Sequence, residues 1–280
     1  MIKKSDHNEN YKLYAVVAPS ISSQFSYAKL GQVITGIQEL GFFHVVEAAL
    51  GADMVSYAEA AELAEKGFLT SSCCPAFVDY IEKQFPQLKE HVSHNLSPAA
   101  TIAKYIKETT PGAKVVFIGP CAAKKLEAMR KSVRSEVDFV LTFEEMAGIF
   151  AAKHVDLTTI EEDPDGVNDA STDGRSFAVG GGVAKAVVNV IQHRYPGREV
   201  KVTSSQGLRE CRKMLMMAKA GKRDGYLLEG MACPGGCVAG AGTITPVKKS
   251  TAAVTKYTKE APVKSVSESA AVKRLHEVQE

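Results

Sequence analysis

The run Met231-Ala232-Cys233-Pro234-Gly235-Gly236-Cys237-Val238-Ala239-Gly240-Ala241-Gly242 constrains this chain more than any other stretch. It places two thiols four residues apart in a turn built of proline and glycine. Glycine lets the backbone take positive φ and approach a ligand closely. Thiolates are soft donors that suit zinc and iron–sulfur clusters. Two thiolates are half of a coordination sphere, so a fold that uses them must bring further donors to the same place from distant segments.

Four more cysteines are available: Cys73, Cys74, Cys121 and Cys211. A disulfide framework is disfavoured, because nothing marks the chain as secreted and 280 residues far exceed a stapled mini-domain. The first ten residues are polar, with no apolar signal-peptide core. No apolar run reaches the roughly 18–20 residues of a membrane helix. The expectation is a cytoplasmic protein with no membrane segment. A net charge of +2, without a basic stripe interleaved with aromatics, argues against nucleic acid as a partner.

Short β-rich runs alternate with helical patterns. Strands are expected at 11–18, 44–49, 114–118, 137–141, 199–204 and 225–229. Helices are expected at 30–40, 56–66, 76–85, 99–107, 124–129, 143–152, 183–193 and 208–220. Ser56 with Glu59 three residues on reads as a capping box opening the second helix, and Thr142 reads as the cap of the helix from Phe143. The acidic, Asp- and Thr-rich stretch 156–173 reads as a linker. The expected domains are an N-terminal lobe over 11–155, that linker, a C-terminal lobe over 174–246, and a polar tail over 247–280 forming surface helix or fraying. The fold class is α/β: two lobes, each a mostly parallel β-sheet flanked by helices, with a metal cluster in the cleft between them.

Cys74 and Cys121 each start a helix after a strand-like run, and Cys233 follows a strand. In open α/β sheets, ligands bind beyond the C-terminal ends of the strands, and helix N-termini there favour thiolates and anions. Ligands spread as one, one and two over three loops suit a buried cluster better than a zinc site of two close pairs. Cys211, mid-helix and without motif context, reads as a small buried hydrophobe. Lys124 lies one turn after Cys121 and is placed to donate to an anionic ligand of a cluster. Lys125 reads as a solvated lysine. Glu59 and Glu62, one turn apart, form by themselves an exposed acidic face.

Ser72-Cys73-Cys74-Pro75, Pro120-Cys121-x-x-Lys124-x-x-Glu127 and Glu229-x-Met231-Ala232-Cys233-x-x-x-Cys237 resemble the three signature motifs of the [FeFe]-hydrogenase catalytic domain, in the same order and over roughly residues 12 to 246. The resemblance implies an iron hydrogenase, an oxidoreductase of hydrogen metabolism that reversibly reduces protons to H2 in anaerobic cells. It implies an H-cluster: a [4Fe-4S] cubane joined to a [2Fe] subcluster carrying CO, cyanide and azadithiolate. By this likeness Cys74, Cys121, Cys233 and Cys237 are the metal ligands, with Cys237 also bridging to the di-iron unit. Cys73, Glu59, Ser93 and Glu62 match the proton path. Ala18, Pro19 and Ser20 match the segment lining the di-iron site. Lys124, assisted by Ser20, matches the lysine that bonds a cyanide, and Phe177 and Met231 match pocket walls.

The chain departs from many members of that family at Gly119 (for Met), Ala76-Phe77 (for Gly-Trp), Ala99 (for Gln) and Gly240-Ala241-Gly242-Thr243, the marks of a divergent subgroup. No cysteine precedes Cys73. The expectation is therefore a minimal enzyme or catalytic fragment without N-terminal ferredoxin-like domains. Electrons would come from an external ferredoxin or partner subunit, and the di-iron unit would come from maturation proteins. Two other readings are an H2-sensing regulatory module and an iron–sulfur scaffold lacking the di-iron unit. The retained Cys73 argues against the first, and the Cys73 and Lys124 surroundings argue against the second.

Overall fold

The computed structural model describes residues 1–163, 166–270 and 272. The elements run, in order, α1 (Ile2–Ser5), β1 (Leu13–Val17), α2 (Leu30–Glu39), β2 (His44–Glu47), α3 (Ala48–Lys66), β3 (Leu69–Thr70), α4 (Pro75–Gln84), α5 (Pro98–Thr109), β4 (Lys114–Gly119), α6 (Ala123–Glu127), β5 (Phe139–Thr142), α7 (Phe143–Ala152), α8 (Thr172–Ser176), α9 (Gly182–Arg194), β6 (Lys201–Gln206), α10 (Leu208–Lys219), β7 (Tyr226–Met231) and α11 (Val247–Lys259). Single 3-10 turns cover Pro19–Ser23 and Cys237–Ala239.

Two sheets form, of order β2-β1-β4-β5 and β3-β7-β6, and every pairing is parallel. The central strands β1 and β4 are near-continuous apolar runs, because a parallel sheet is covered on both faces. The largest core surrounds the first sheet, with Val33 and Ile37 of α2, Ile102 of α5 and Phe150 of α7 packed on it. Around the second sheet, α4 and α10 close over Leu228 on one side, and α3 and α9 close over Leu69 and Leu227 on the other. The α/β architecture of parallel sheets flanked by helices is thus the one expected.

The helix expected from Ser56 begins eight residues earlier, at Ala48, so β2 ends at Glu47 rather than Ala49. Ser56 lies mid-helix and donates to the Ala52 carbonyl at 2.8 Å. Ala48, Ala49, Gly51 and Ala52 are small and buried, and their packing extends the helix past the capping pattern. A Cβ on Gly51 would stand 2.0 Å from the Pro98 carbonyl oxygen, so only glycine allows α3 to meet the start of α5 this closely.

Three of the expected domain bounds do not match the topology. Strand β3 pairs with β7, so residues 69–70 and the helix α4 behind them belong to the second sheet although they lie inside 11–155. Apolar character cannot tell which of two sheets a short strand joins. The acidic stretch 156–173 is not a free linker over its described residues. Leu157, Ala170 and Ser171 are buried, Ser171 caps α8, and Asp173 accepts from Asn189 at 2.8 Å. Of its described acidic residues, Asp173 is buried, whereas Asp156, Glu161, Glu162 and Asp169 face solvent. The tail likewise forms α11, with Ser250, Val254 and Tyr257 buried. The part of the tail expectation that falls on 271 and 273–280 lies outside the described residues.

Candidate metal centre

The three cysteine motifs sit where three strands end. Strand β3 leads to Cys74, which occupies the cap position of α4. Strand β4 ends at Gly119, two residues before Cys121, and β7 ends at Met231, two residues before Cys233. Gly235 and Gly236 then turn the chain with φ near +95° and +97° into Cys237. A Cβ on Gly236 would stand 2.8 Å from the Gly180 nitrogen, so the thiol loop can lie against that segment only with glycine. Gln24 clamps the far end of the loop by accepting from the Ile244 N–H at 2.8 Å.

Cys73, Cys74, Cys121, Cys233 and Cys237 line one cavity of about 90 Å³, together with Ala18, Pro19, Ser20, Lys124, Phe177 and Met231. Every expected ligand and pocket position therefore reaches the same space. Phe117, which sequence reasoning missed, also lines it. Its ring stands 2.6 Å from where a Cβ on Gly119 would be, so the phenyl occupies the room a longer side chain at 119 would take. The Phe77 ring lies in the same way over Gly230, 2.2 Å from its would-be Cβ. The absence of a side chain at 119 or 230 is visible in sequence, but the aromatic that fills the space is not.

Burial pushes the Cys74 thiol up and the Cys233 thiol up to about 11, and the negative charge of neighbouring thiols, Cys121 among them, opposes their ionisation further. Burial and the charges of Cys121 and Cys74 raise Cys237 too. Cys74, Cys233 and Cys237 resist ionisation chiefly because they are buried, and bound metal cations would favour their thiolates. Among the described residues, no three His, Cys, Asp or Glu side chains converge on a single-ion site. The donor set fits an iron–sulfur cluster, in which separate thiolates take separate irons. Ser20 adds a buried hydroxyl on the cavity wall that has no hydrogen-bond partner among the described residues. Cys211 lies apart, buried, its Sγ against the Met231 carbonyl at 3.4 Å, as a small hydrophobe would. Lys125 pairs at the surface with Glu145.

Lys124 is buried, with Nζ 2.7 Å from Glu127 Oε2 and 3.4 Å from the Cys73 carbonyl oxygen. Burial pulls its pKa down, but the Glu127 carboxylate outweighs this and holds the ammonium above its usual range.

From Cys73 a polar file leads outward. Glu59 is fully buried, and this pushes its carboxyl up to about 7 against the opposing Ser72 N–H and Ser93 hydroxyl. Its Oε1 accepts from Ser72 N–H at 3.4 Å, and among the described residues Oε2 accepts no hydrogen bond, the Ser93 hydroxyl being given to Glu62. Ser93 donates to Glu62 Oε2 at 2.9 Å. Glu62 reaches the surface, where Lys66 at 2.7 Å, Asn95 at 3.0 Å and the His94 N–H at 3.2 Å also bind it. Partial burial raises the Glu62 carboxyl, and the Lys66, Ser93 and His94 hydrogen bonds outweigh it and hold the group below its ordinary value. Lys66 is visible in sequence as the i,i+4 partner of Glu62. His94 and Asn95 come from a loop and carry no sequence signal.

The profile of the iron only hydrogenase large subunit, C-terminal domain, matches residues 11–241. The chain belongs to this family. It is 29% identical to the periplasmic [Fe] hydrogenase large subunit of Nitratidesulfovibrio vulgaris, over 86% of this chain and 70% of that one. It is 26% identical to iron hydrogenase 1 of Clostridium pasteurianum, over 76% of this chain but only 45% of that one. A 92-residue stretch is 36% identical to the cytosolic Fe-S cluster assembly factor NAR1 of Kluyveromyces lactis, over 33% of this chain and 20% of that one. The family thus includes members that are not named as hydrogenases. The fold matches [FeFe]-hydrogenase HydA1 from Chlamydomonas reinhardtii with a TM-score of 0.78 at 22% identity, covering 98% of this chain and 91% of that one. Among the described residues, no helix is long and apolar enough to cross a membrane.

Proposed function

We propose that the chain is the catalytic domain of an [FeFe]-hydrogenase, reversibly reducing protons to H2 with electrons from an external donor such as a ferredoxin or a partner subunit. The observation that carries this reading is the convergence of four thiols, Cys73 and Lys124 on one cavity. Cys74, Cys121, Cys233 and Cys237 would hold the cubane beside the di-iron unit, which maturation proteins would supply. When bound, that H-cluster would relay the donor's electrons and supply the metal site at which H2 is made or split. The residues around it do the rest. Lys124 and Ser20 present donors to its anionic ligands, while Ala18, Pro19, Phe177 and Met231 shape the wall. Cys73, Glu59, Ser93 and Glu62 pass protons between the cavity and the surface. A buried carboxyl held near 7 is suited to both taking and giving a proton at neutral pH. We place the protein in the cytoplasm of an anaerobe, although the N. vulgaris relative is named as periplasmic.

The likeness to NAR1 favours a second reading, an iron–sulfur protein without the di-iron unit. H2 evolution from reduced methyl viologen separates the two. It is measured without oxygen after reconstitution with iron and sulfide and loading with a synthetic di-iron precursor, with infrared spectra of the same sample. Turnover with CO and cyanide bands supports the hydrogenase. Bands without turnover indicate an H2-sensing module. Four irons with neither bands nor turnover overturn the hydrogenase reading.

A further inference from the structure

We propose that His94 is the proton-exchanging group at the outer end of the polar file, carrying protons between bulk water and Glu62. The role rests on the hydrogenase reading given above, because only a reaction that consumes or releases protons in the cavity needs the file.

Glu62 ends the file, and its side chain is only 12% exposed. Lys66 at 2.7 Å, Ser93 at 2.9 Å and Asn95 at 3.0 Å close it in. Burial raises this carboxyl, but the hydrogen bonds from Lys66, Ser93 and the His94 N–H outweigh it and hold the group below its ordinary value. At neutral pH Glu62 can therefore pass a proton inward but keeps none in store. Lys66 does not supply one, because an ammonium is a poor acid near neutrality.

The His94 ring supplies what these two lack. Its side chain is 76% exposed, while its backbone N–H is tied to both Glu62 oxygens at 3.2 Å, so the ring stays beside the carboxylate. Nδ1 lies 3.5 Å from Glu62 Oε1 and 3.4 Å from Lys66 Nζ. An ammonium only donates, so in the neutral ring Nδ1 is the acceptor and Nε2 carries the proton. Imidazole is the side chain that changes charge between pH 5 and 8. A proton taken from water at Nδ1 sits at the edge nearest Glu62. Transfer breaks the Nδ1–H bond and forms an O–H bond at Oε1, after a small turn of the exposed ring or through one water. The ring returns to neutral and Lys66 keeps its charge. Oxidation of H2 runs the same step in reverse.

The ring also lines an outer cleft of about 530 Å³ whose other titratable or charged groups are Glu82, Lys89, Glu90, Glu127 and Arg130. Arg130 takes Glu82, and Lys124 takes Glu127. Among the described residues, His94 is the one titratable group of this cleft that meets Glu62.

The test uses His94→Gln in the full chain. The control is His91→Gln, since the His91 ring lies against Phe68 with centroids 4.5 Å apart. In weak buffer at neutral pH, His94→Gln is expected to lose about ten-fold in H2 turnover, less than an acid–base group at the reacting atoms contributes. Its iron content and infrared bands are expected to match the wild type, and added imidazole to restore most of the rate. His91→Gln is expected to turn over as the wild type does. An unchanged rate in His94→Gln, or a loss that imidazole does not repair, overturns the proposal. A second measurement needs no cluster: proton NMR titration of the histidine rings in the cluster-free chain. Glu62→Gln is expected to lower the midpoint of the His94 signals, because a carboxylate that favours the imidazolium is gone, and to leave those of His91 in place. An unmoved His94 midpoint overturns the pairing whatever the cluster state. If the wild type binds four irons but makes no H2, the hydrogenase reading fails. The titration then decides alone whether His94 and Glu62 are coupled.

Discussion

Cys73 and Cys74 are neighbours in sequence and reach the same cavity, yet their settings differ. Cys74 begins a helix among the other three thiols, whereas Cys73 is buried, and the charge of Glu59 is the largest cause after burial that raises its thiol. Exchanging Cys73 for serine is expected to lower turnover by about 100-fold or more while iron content holds, because a hydroxyl is a far weaker acid and general acid–base groups contribute on this order. Near-wild-type turnover would remove Cys73 from the relay. Glu59 yields a pH prediction. Its folded pKa, about 7, lies above the ordinary carboxyl value of 4.5, so the folded state holds the proton more tightly. The resulting stability is fully present below pH 4.5 and is lost as pH rises through 7. Glu59→Gln is expected to remove that component, worth roughly 3 kcal/mol at most. Melting curves of the cluster-free chain across this range check it: a variant with the wild-type pH slope refutes the assignment. Asp53, raised to about 6 by burial, adds a similar slope in both proteins and cancels in the comparison.

At the scale of elements, α3 is the piece that the sites share. Its first half packs against α5 through Gly51, and Ala48, Ala49 and Ala52 line the metal cavity. Its second half carries Glu59 and Glu62. Gly51→Ala places a methyl 2.0 Å from the Pro98 carbonyl, so the helices must part. The expected cost is about 1–3 kcal/mol, as for overpacked cores, seen as a lower melting temperature and poorer cluster loading. Gly148→Ala in α7 meets nothing within 4 Å and is the control. It is expected to stabilise by up to about 1 kcal/mol through helix propensity. Equal destabilisation by both changes would show that the close approach of α3 and α5 is not what matters.

At the scale of the whole molecule, the four thiols come from loops after strands of both sheets, so a cluster held by them would join the two sheets. A ligand that binds only the folded state stabilises it by mass action. Iron and sulfide reconstitution is therefore expected to raise the melting temperature, and Cys121→Ala to abolish both the gain and the stoichiometric iron. Four irons retained in that variant would refute the ligand assignment. Helix α11 takes part in the same consolidation. Tyr257 of α11 donates to Glu47 at the end of β2, and the Glu47 carboxylate also holds Arg175 of α8 at 2.9 Å.

The alternation of apolar runs and helical patterns by itself determined the α/β class, and the three cysteine motifs determined which thiols belong together. Both are local patterns: strand and helix period, and Pro and Gly beside Cys. Tertiary structure alone decided that β3 leaves the first sheet for the second, that 156–173 and the start of the tail are packed rather than free over their described residues, and that α3 starts at Ala48. It also decided that His94 and Asn95 meet Glu62 and that Phe117 lines the cavity. Each of these depends on a partner far away in the chain. Pairing between distant segments is fixed by the contacts that survive in the packed molecule, and no local period records them.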